Sequence, residues 1–216
     1  TGVGDGLADK YRVSYFDRRG HGKTADTPEP FHYEAMADET IAVLESIGGT
    51  SHLVGWSDGG NIGLIVAMRR PDLVKRLVVI GANFKYDAGL DIGLTDESPA
   101  MQMIAENYMA SSPDGPDHFE EFVTKSLVMW ASEPNMTTQD LSKISIPVLV
   151  MVGDDDGMNL SHTCEMYESI PGAQLSVIPG ASHAVPMEKS AEVARLVDEF
   201  FSCQLPVETM MPIRRR

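Results

Sequence analysis

Cysteine is nearly absent from this chain: Cys164 and Cys203 are the two in 216 residues. Two cysteines so far apart build no disulfide framework, so a reducing compartment, the cytoplasm, is the expected setting. Cations are scarce as well. Seventeen Lys and Arg stand against 32 Asp and Glu, a formal charge of −15. Phosphate binding needs clustered Lys and Arg, so no nucleic-acid partner is expected. The one basic run, Arg214-Arg215-Arg216, reads as a solvated tail. No apolar stretch approaches the roughly 18 residues of a membrane span, so no membrane partner is expected. Neither a Cys/His cluster nor a phosphate-binding glycine loop occurs, and no metal or cofactor is implied. Homo-oligomerisation is left open. The chain begins at Thr1 rather than Met, which leaves a preceding segment open too. What remains is globular in composition, 43% hydrophobic and 23% charged, with length for one domain and a modest insertion.

Strand and helix patterns alternate along most of the chain. Arg12–Phe16 is β-branched and aromatic and predicts a strand. Tyr33–Ile47 carries Met36, Ala37, Thr40, Ile41, Leu44 and Ile47 at helical spacing and stops at Gly48-Gly49. His52–Trp56 predicts a strand, Gly59–Arg70 a helix ended by Pro71, and Leu77–Ile80 a strand buried on both faces. Phe84–Lys143 breaks the rhythm. It has helical stretches near Glu97–Ala110, Asp117–Ala131 and Thr138–Lys143 and no strand pattern, and so predicts an all-helical insertion. The alternation resumes with strand Pro147–Val152, helix Ser161–Ile170, strand Gln174–Ile178 and helix Glu188–Phe201. Strands separated by helices predict an α/β fold with a parallel sheet covered on both faces. Ligands of such sheets sit beyond the carboxyl ends of the strands.

Three loops at such ends carry chemistry. Gly55-Trp56-Ser57-Asp58-Gly59-Gly60 fits G-x-S-x-G, a sharp strand-to-helix turn that exposes a serine. Small residues are expected at Gly55 and Gly59, where a Cβ would clash with strand or helix. The helix start would offer the Asp58 N–H to a developing oxyanion. Gly153-Asp154-Asp155-Asp156-Gly157 follows the strand at Pro147–Val152. A calcium loop fails there, because Met158 and Asn159 stand where a ligand and a glycine are needed. An acidic turn, or a carboxylate orienting a histidine, remains. Pro179-Gly180-Ala181-Ser182-His183 follows the last strand. Among six histidines, His21 sits in a polar turn where a structural role is favoured. His32, His118 and His162 read as surface positions, and His52 opens a strand. Serine, then acid, then histidine, each after its own strand, is the chain order of one class of hydrolases.

On these residues the chain resembles the α/β-hydrolase family over nearly its whole length. Asp17-Arg18-Arg19-Gly20-His21-Gly22 looks like the loop after the family's fourth strand. The Gly55–Gly60 turn is similar to that of small serine carboxylesterases in the valacyclovirase-like and haloperoxidase-like groups. The resemblance implies Ser57, Asp156 and His183 as catalytic residues, with Asp154 and Asp155 behind Asp156 as acids. It implies Asp58 and Trp56 at the oxyanion and substrate site, and residues 84–143 as a lid on a core formed by 1–83 and 144–216. Met101, Met103, Met109, Met129 and Met136 would line an adaptable acyl pocket or serve as core. The implied activity is hydrolysis of a small carboxylic ester through an acyl-enzyme. The Asp58 carboxylate, next to the serine, would favour substrates with a positive charge near the ester, or else serves a structural role in the first turn of the helix. A perhydrolase or a carbon–carbon bond hydrolase would use the same triad, and a non-catalytic ligand- or partner-binding pseudo-hydrolase is the other reading. One departure stands out. The family's N-terminal strands, and the loop that donates a second oxyanion N–H, have no counterpart before Tyr11. Either a piece is missing, or Arg12–Phe16 pairs directly with His52–Trp56. A disturbed sheet beside Arg12–Phe16 is expected.

Overall fold

The structure, a computed structural model, describes residues 2–89, 91, 93, 95, 97–205 and 207–211. The Arg214–Arg216 tail lies outside them. Helix α1 (Gly2–Leu7) leads through an irregular stretch to α2 (Tyr33–Ile47), β1 (Ser51–Trp56), α3 (Asp58–Arg69) and β2 (Val74–Ile80). Next come α4 (Pro99–Ser111), a 3₁₀ turn (Pro116–His118), α5 (Phe119–Trp130) and α6 (Thr138–Leu141). The chain then forms β3 (Val148–Gly153), α7 (Leu160–Ser169), β4 (Gln174–Ile178), α8 (Val185–Glu188) and α9 (Ser190–Ser202). No helix among the described residues is long and apolar enough to cross a membrane.

The four strands are parallel and lie in chain order, β1-β2-β3-β4. The two central strands are buried on both faces. Leu77, Val79, Val148 and Val150 point into one core with residues of α2, α3 and α7. Val78, Ile80, Leu149 and Met151 point into a second core with Val193, Val197 and Phe200 of α9 and with Val3 and Leu7 of α1. That double burial is why β2 and β3 read as unbroken apolar runs rather than alternating ones.

Two N-terminal expectations are corrected. Arg12–Phe16 is not a strand: among the described residues no ladder joins it to β1 or to any other element, and Tyr15 is 75% exposed. Its composition suits a sheet, but strand structure requires a neighbour's N–H and C=O groups, and none is alongside. The glycine-rich stretch before it forms a helix against propensity. Its glycines allow α1 to lie close to its neighbours: a Cβ at Gly6 would sit 2.8 Å from Ala194 Cβ, and one at Gly4 would overlap Tyr15. Packing of Val3 and Leu7 outweighs the entropic cost of glycine in a helix.

Among the described residues no strand lies on the outer side of β1, which is an edge of the sheet. Ser51 N–H and Ser57 N–H both donate to β2 residues or their flanks, at 3.0 and 2.8 Å. Backbone groups alternate sides along a strand, so those of His52, Val54 and Trp56 face away from β2. The register slips between Ser51 and His52, the disturbed end of the sheet. A cleft of about 610 Å³ runs along this edge between β1 and the segment Arg12–Tyr15.

The insertion leaves and rejoins the core at one point. Tyr86 N–H donates to Pro134 O at 2.7 Å and Met136 N–H to Phe84 O at 2.9 Å, around an antiparallel bridge of Lys85 with Asn135. Its methionines divide. Met129 and Met136 are core, while Met103 and Met109 are exposed.

The β1–α3 junction shows which glycine the turn requires. A Cβ on Gly55 would lie 2.1 Å from Gly59 O, and one on Gly60 would lie 2.7 Å from Ala82 Cβ. A Cβ on Gly59 would meet nothing within 4 Å. The expectation for Gly55 holds and that for Gly59 moves to Gly60. Gly55→Ala is expected to cost at least about 1–3 kcal/mol, the usual penalty for overpacking against atoms that cannot yield. Gly59→Ala is expected to leave the unfolding midpoint unchanged or slightly raised; paired thermal melts check both. Hydrogen exchange should alternate along β1, with Leu53 and Gly55 amides protected and those of His52, Val54 and Trp56 fast. Residues 12–16 should exchange faster than Val148–Gly153, and uniform protection of all three segments would contradict the open edge.

Candidate active site

Ser57 follows the last residue of β1 and precedes the first of α3. Its φ of 54° and ψ of −123° make it the one non-glycine residue with positive φ among the described residues. Ser57 O accepts the N–H groups of Gly60 and Asn61, at 2.8 and 3.2 Å. The N–H groups of Asp58 and Gly59 precede those first helical bonds. They are the orphan donors of a helix start, beside the serine, with the positive end of the helix dipole behind them.

His183 Nε2 lies 3.0 Å from Ser57 Oγ, and His183 Nδ1 lies 2.9 Å from Asp156 Oδ1. Three residues 126 and 27 positions apart in the chain thus form one hydrogen-bonded line. Asp156 is 1% exposed at its side chain and His183 14%. Asp156 Oδ1 also accepts the Met158 N–H at 2.9 Å, while Oδ2 is buried without a partner. Gly81, at φ 56°, closes over that pair: a Cβ there would sit 3.0 Å from Asp156 Oδ2 and 3.2 Å from the His183 ring.

The neighbouring acids do other things. Asp154 Oδ1 accepts the N–H groups of Gly180 and Ala181, at 2.6 and 3.3 Å. The Asp154 N–H donates to Ile178 O and the Asp155 N–H to Ala181 O, at 3.1 and 3.0 Å. Asp154 and Asp155 therefore zip the acid loop to the histidine loop. Gly153 permits the approach, since a Cβ there would fall 2.0 Å from Ala181 O. Trp56 adds a second hold: its indole N–H donates to His183 O at 2.8 Å, and its ring lies 5.9 Å from the imidazole.

The Asp58 carboxylate accepts the Tyr33 hydroxyl at 2.6 Å and the Trp130 indole N–H at 3.0 Å. Trp130 ends α5, so the insertion reaches the residue after Ser57. Sequence reasoning missed Tyr33 and Trp130 as parts of this site; nothing in their spacing marks them.

Three other histidines are accounted for by packing. His21 lies between Phe31 and Phe122, with ring centroids 5.6 and 5.1 Å away, and its Nδ1 is 2.9 Å from Arg19 O. Burial lowers its pKa below the usual imidazole range. His162 is not a surface residue: it is buried, stacked on Phe84 at 4.2 Å, and its Nε2 accepts the Phe84 N–H at 3.2 Å. His52 stacks on Phe201 at 4.0 Å, and burial pushes its pKa down to about 4. Asp26, His118 and Glu121 bring metal-type ligand atoms within 4.8 Å of one another. Cations already occupy that cluster. Lys125 lies 2.6 Å from Asp26 and 3.1 Å from Glu121, and Arg19 is 2.9 Å from Asp26.

The chain is similar to known proteins in sequence and in fold. The pimeloyl-[acyl-carrier protein] methyl ester esterase of Neisseria meningitidis (serogroup C) is 26% identical over 217 residues, 87% of this chain and 82% of that protein. The serine hydrolase BPHL of Mus musculus is 25% identical over 209 residues, 88% of this chain and 69% of that protein. Among solved structures, a meta-cleavage product hydrolase from Pseudomonas fluorescens IP01 superposes with a TM-score of 0.75 at 23% identity, covering 91% of this chain and 82% of that one. That likeness shows the shared fold. The sequence profile of the Alpha/beta hydrolase family matches residues 2–196, and the chain belongs to that family.

Proposed function

We propose that this protein is a serine hydrolase that cleaves a small carboxylic ester through an acyl-enzyme. The observation that carries the reading is the line Ser57 Oγ, His183 and Asp156, with steps of 3.0 and 2.9 Å, built on a strained turn at the carboxyl ends of parallel strands. Ser57 attacks the ester carbonyl, and His183 Nε2 takes its proton and passes it to the leaving alcohol. Asp156 fixes the tautomer with Nδ1 protonated and stabilises the imidazolium. Water then enters, His183 removes its proton, and the acid is released with Ser57 restored. The Asp58 N–H faces the developing oxyanion, where a backbone donor is worth about 10²–10³ in rate. The insertion, through Trp130, forms the lid over the acyl side. The names of the relatives, an ester esterase and a serine hydrolase among them, favour ester chemistry.

The test is hydrolysis of p-nitrophenyl acetate and butyrate, with stoichiometric labelling by a fluorophosphonate. Wild type is expected to turn over both esters and to be labelled at Ser57. Ser57→Ala should lose labelling and at least about 10³ in kcat, and Asp156→Asn should lose about 10²–10⁴ with the fold intact. Equal turnover in wild type and Ser57→Ala would end the proposal.

A further inference from the structure

The Asp58 side chain has a second structural connection that its backbone role does not require. Tyr33 takes part twice. Its hydroxyl donates to Asp58 Oδ1 at 2.6 Å, and its N–H donates to Glu133 Oε2 at 2.9 Å. Glu133 stands just beyond α5, and its other oxygen lies 2.6 Å from His32 Nδ1. Trp130, three residues earlier, donates to Asp58 Oδ2 at 3.0 Å. The result is a closed ring, Tyr33–Asp58–Trp130–Glu133–Tyr33, joining the start of α2, the start of α3 and the end of α5. Tyr33 is 2% exposed, and burial together with the Asp58 charge keeps its hydroxyl protonated far beyond neutral pH, so it is a permanent donor. Trp130 is 36% exposed, so one member of the ring borders solvent.

We infer that Asp58 is a positioning residue that latches the insertion over Ser57 through the Trp130 indole, and that release of this indole is the opening motion of the acyl side. This rests on Ser57 being the nucleophile. The inference also redefines the carboxylate's part in specificity. Both oxygens already accept hydrogen bonds from the protein, and Arg18 and His21 lie within reach of the charge. The latch therefore consumes the group that a cationic acyl moiety would have used. A bond from a neutral donor to a carboxylate biases a two-state equilibrium by roughly 10- to 100-fold, enough to keep the insertion mostly closed while leaving an open minority.

The chain has two tryptophans, so its indole N–H spectrum holds two signals, Trp56 and Trp130, assigned with Trp130→Phe. Asp58→Asn keeps an oxygen for Tyr33 and turns an amide N–H toward the indole. In that variant the Trp130 signal is expected to move and its water exchange to rise at least about tenfold, with Trp56 unchanged. Tyr33→Phe, which leaves Oδ2 in place, should shift it less. The second-order rate of Ser57 labelling by a fluorophosphonate should change about three- to tenfold in Asp58→Asn and by the same factor in Trp130→Phe. The double variant should show that factor once, not its square. The preference between a valine ester and the matching isovalerate ester should be the same in wild type and Asp58→Asn. An unmoved indole, multiplying effects in the double variant, or a valine-to-isovalerate ester ratio that differs between wild type and Asp58→Asn each overturns the latch. If wild type is never labelled, the nucleophile reading fails, and the indole signals still decide the latch.

Discussion

A non-glycine residue held at φ 54° and ψ −123° costs on the order of 1–3 kcal/mol, and Ser57 is held there by its neighbours. The Ser57 N–H donates to Ile80 O at 2.8 Å, which ties the turn to the end of β2. Gly55 lacks the Cβ that would strike Gly59 O, so α3 can start directly over β1. The same turn exposes the Oγ and leaves the Asp58 and Gly59 N–H groups unspent. The strained turn, the exposed hydroxyl and the unspent N–H groups thus come from one piece of backbone, and the sheet must be rigid there to maintain them. Burial of Leu77–Ile80 and Val148–Val152 on both faces supplies that rigidity.

Patterns that depend on side chains alone could be read from the sequence. Tyr33–Ile47 and Gln174–Ile178 match the structure residue for residue, because apolar period and glycine stops mark their ends. The three loops after β1, β3 and β4 were equally legible, since the order of chemistry along a parallel sheet is also its order in space. What could not be read depended on distant partners. Arg12–Phe16 has the composition of a strand and no strand to pair with. Gly2–Leu7 has poor helix propensity and a helix, α9, to pack on. His162 shows polar flanks in sequence, yet it stacks on Phe84 from across the insertion. Gly59 and Gly60 differ in need only because Ala82 stands beside one of them.

The open edge of β1 and the candidate site share an end. Val54 and Trp56 turn their outer backbone groups toward the 610 Å³ cleft, and Trp56 lines that cleft while its indole N–H holds His183 O. Pairing on the outer side of β1 would therefore stiffen the strand that ends at Ser57 and the tryptophan that steadies the histidine.

Rigidity is unevenly shared between the two sides of Ser57. On the acid and histidine side, Asp154 staples Gly180 and Ala181, Asp155 holds Ala181 O, and Gly153 lets the loops touch. The chain leading into His183 is thus held by Asp154 and Asp155, and His183 O by Trp56. On the acyl side, α5 is tied to the core by side chains: Trp130 to Asp58, Glu133 to Tyr33, and Lys125 to Asp26 at 2.6 Å. Side-chain ties break singly, whereas a backbone zipper breaks as a unit. In the proposed mechanism the Ser57–His183–Asp156 line stays in place when the insertion opens, and Asp58 is where the two sides meet: its N–H lies on the serine side and its carboxylate ties to Trp130.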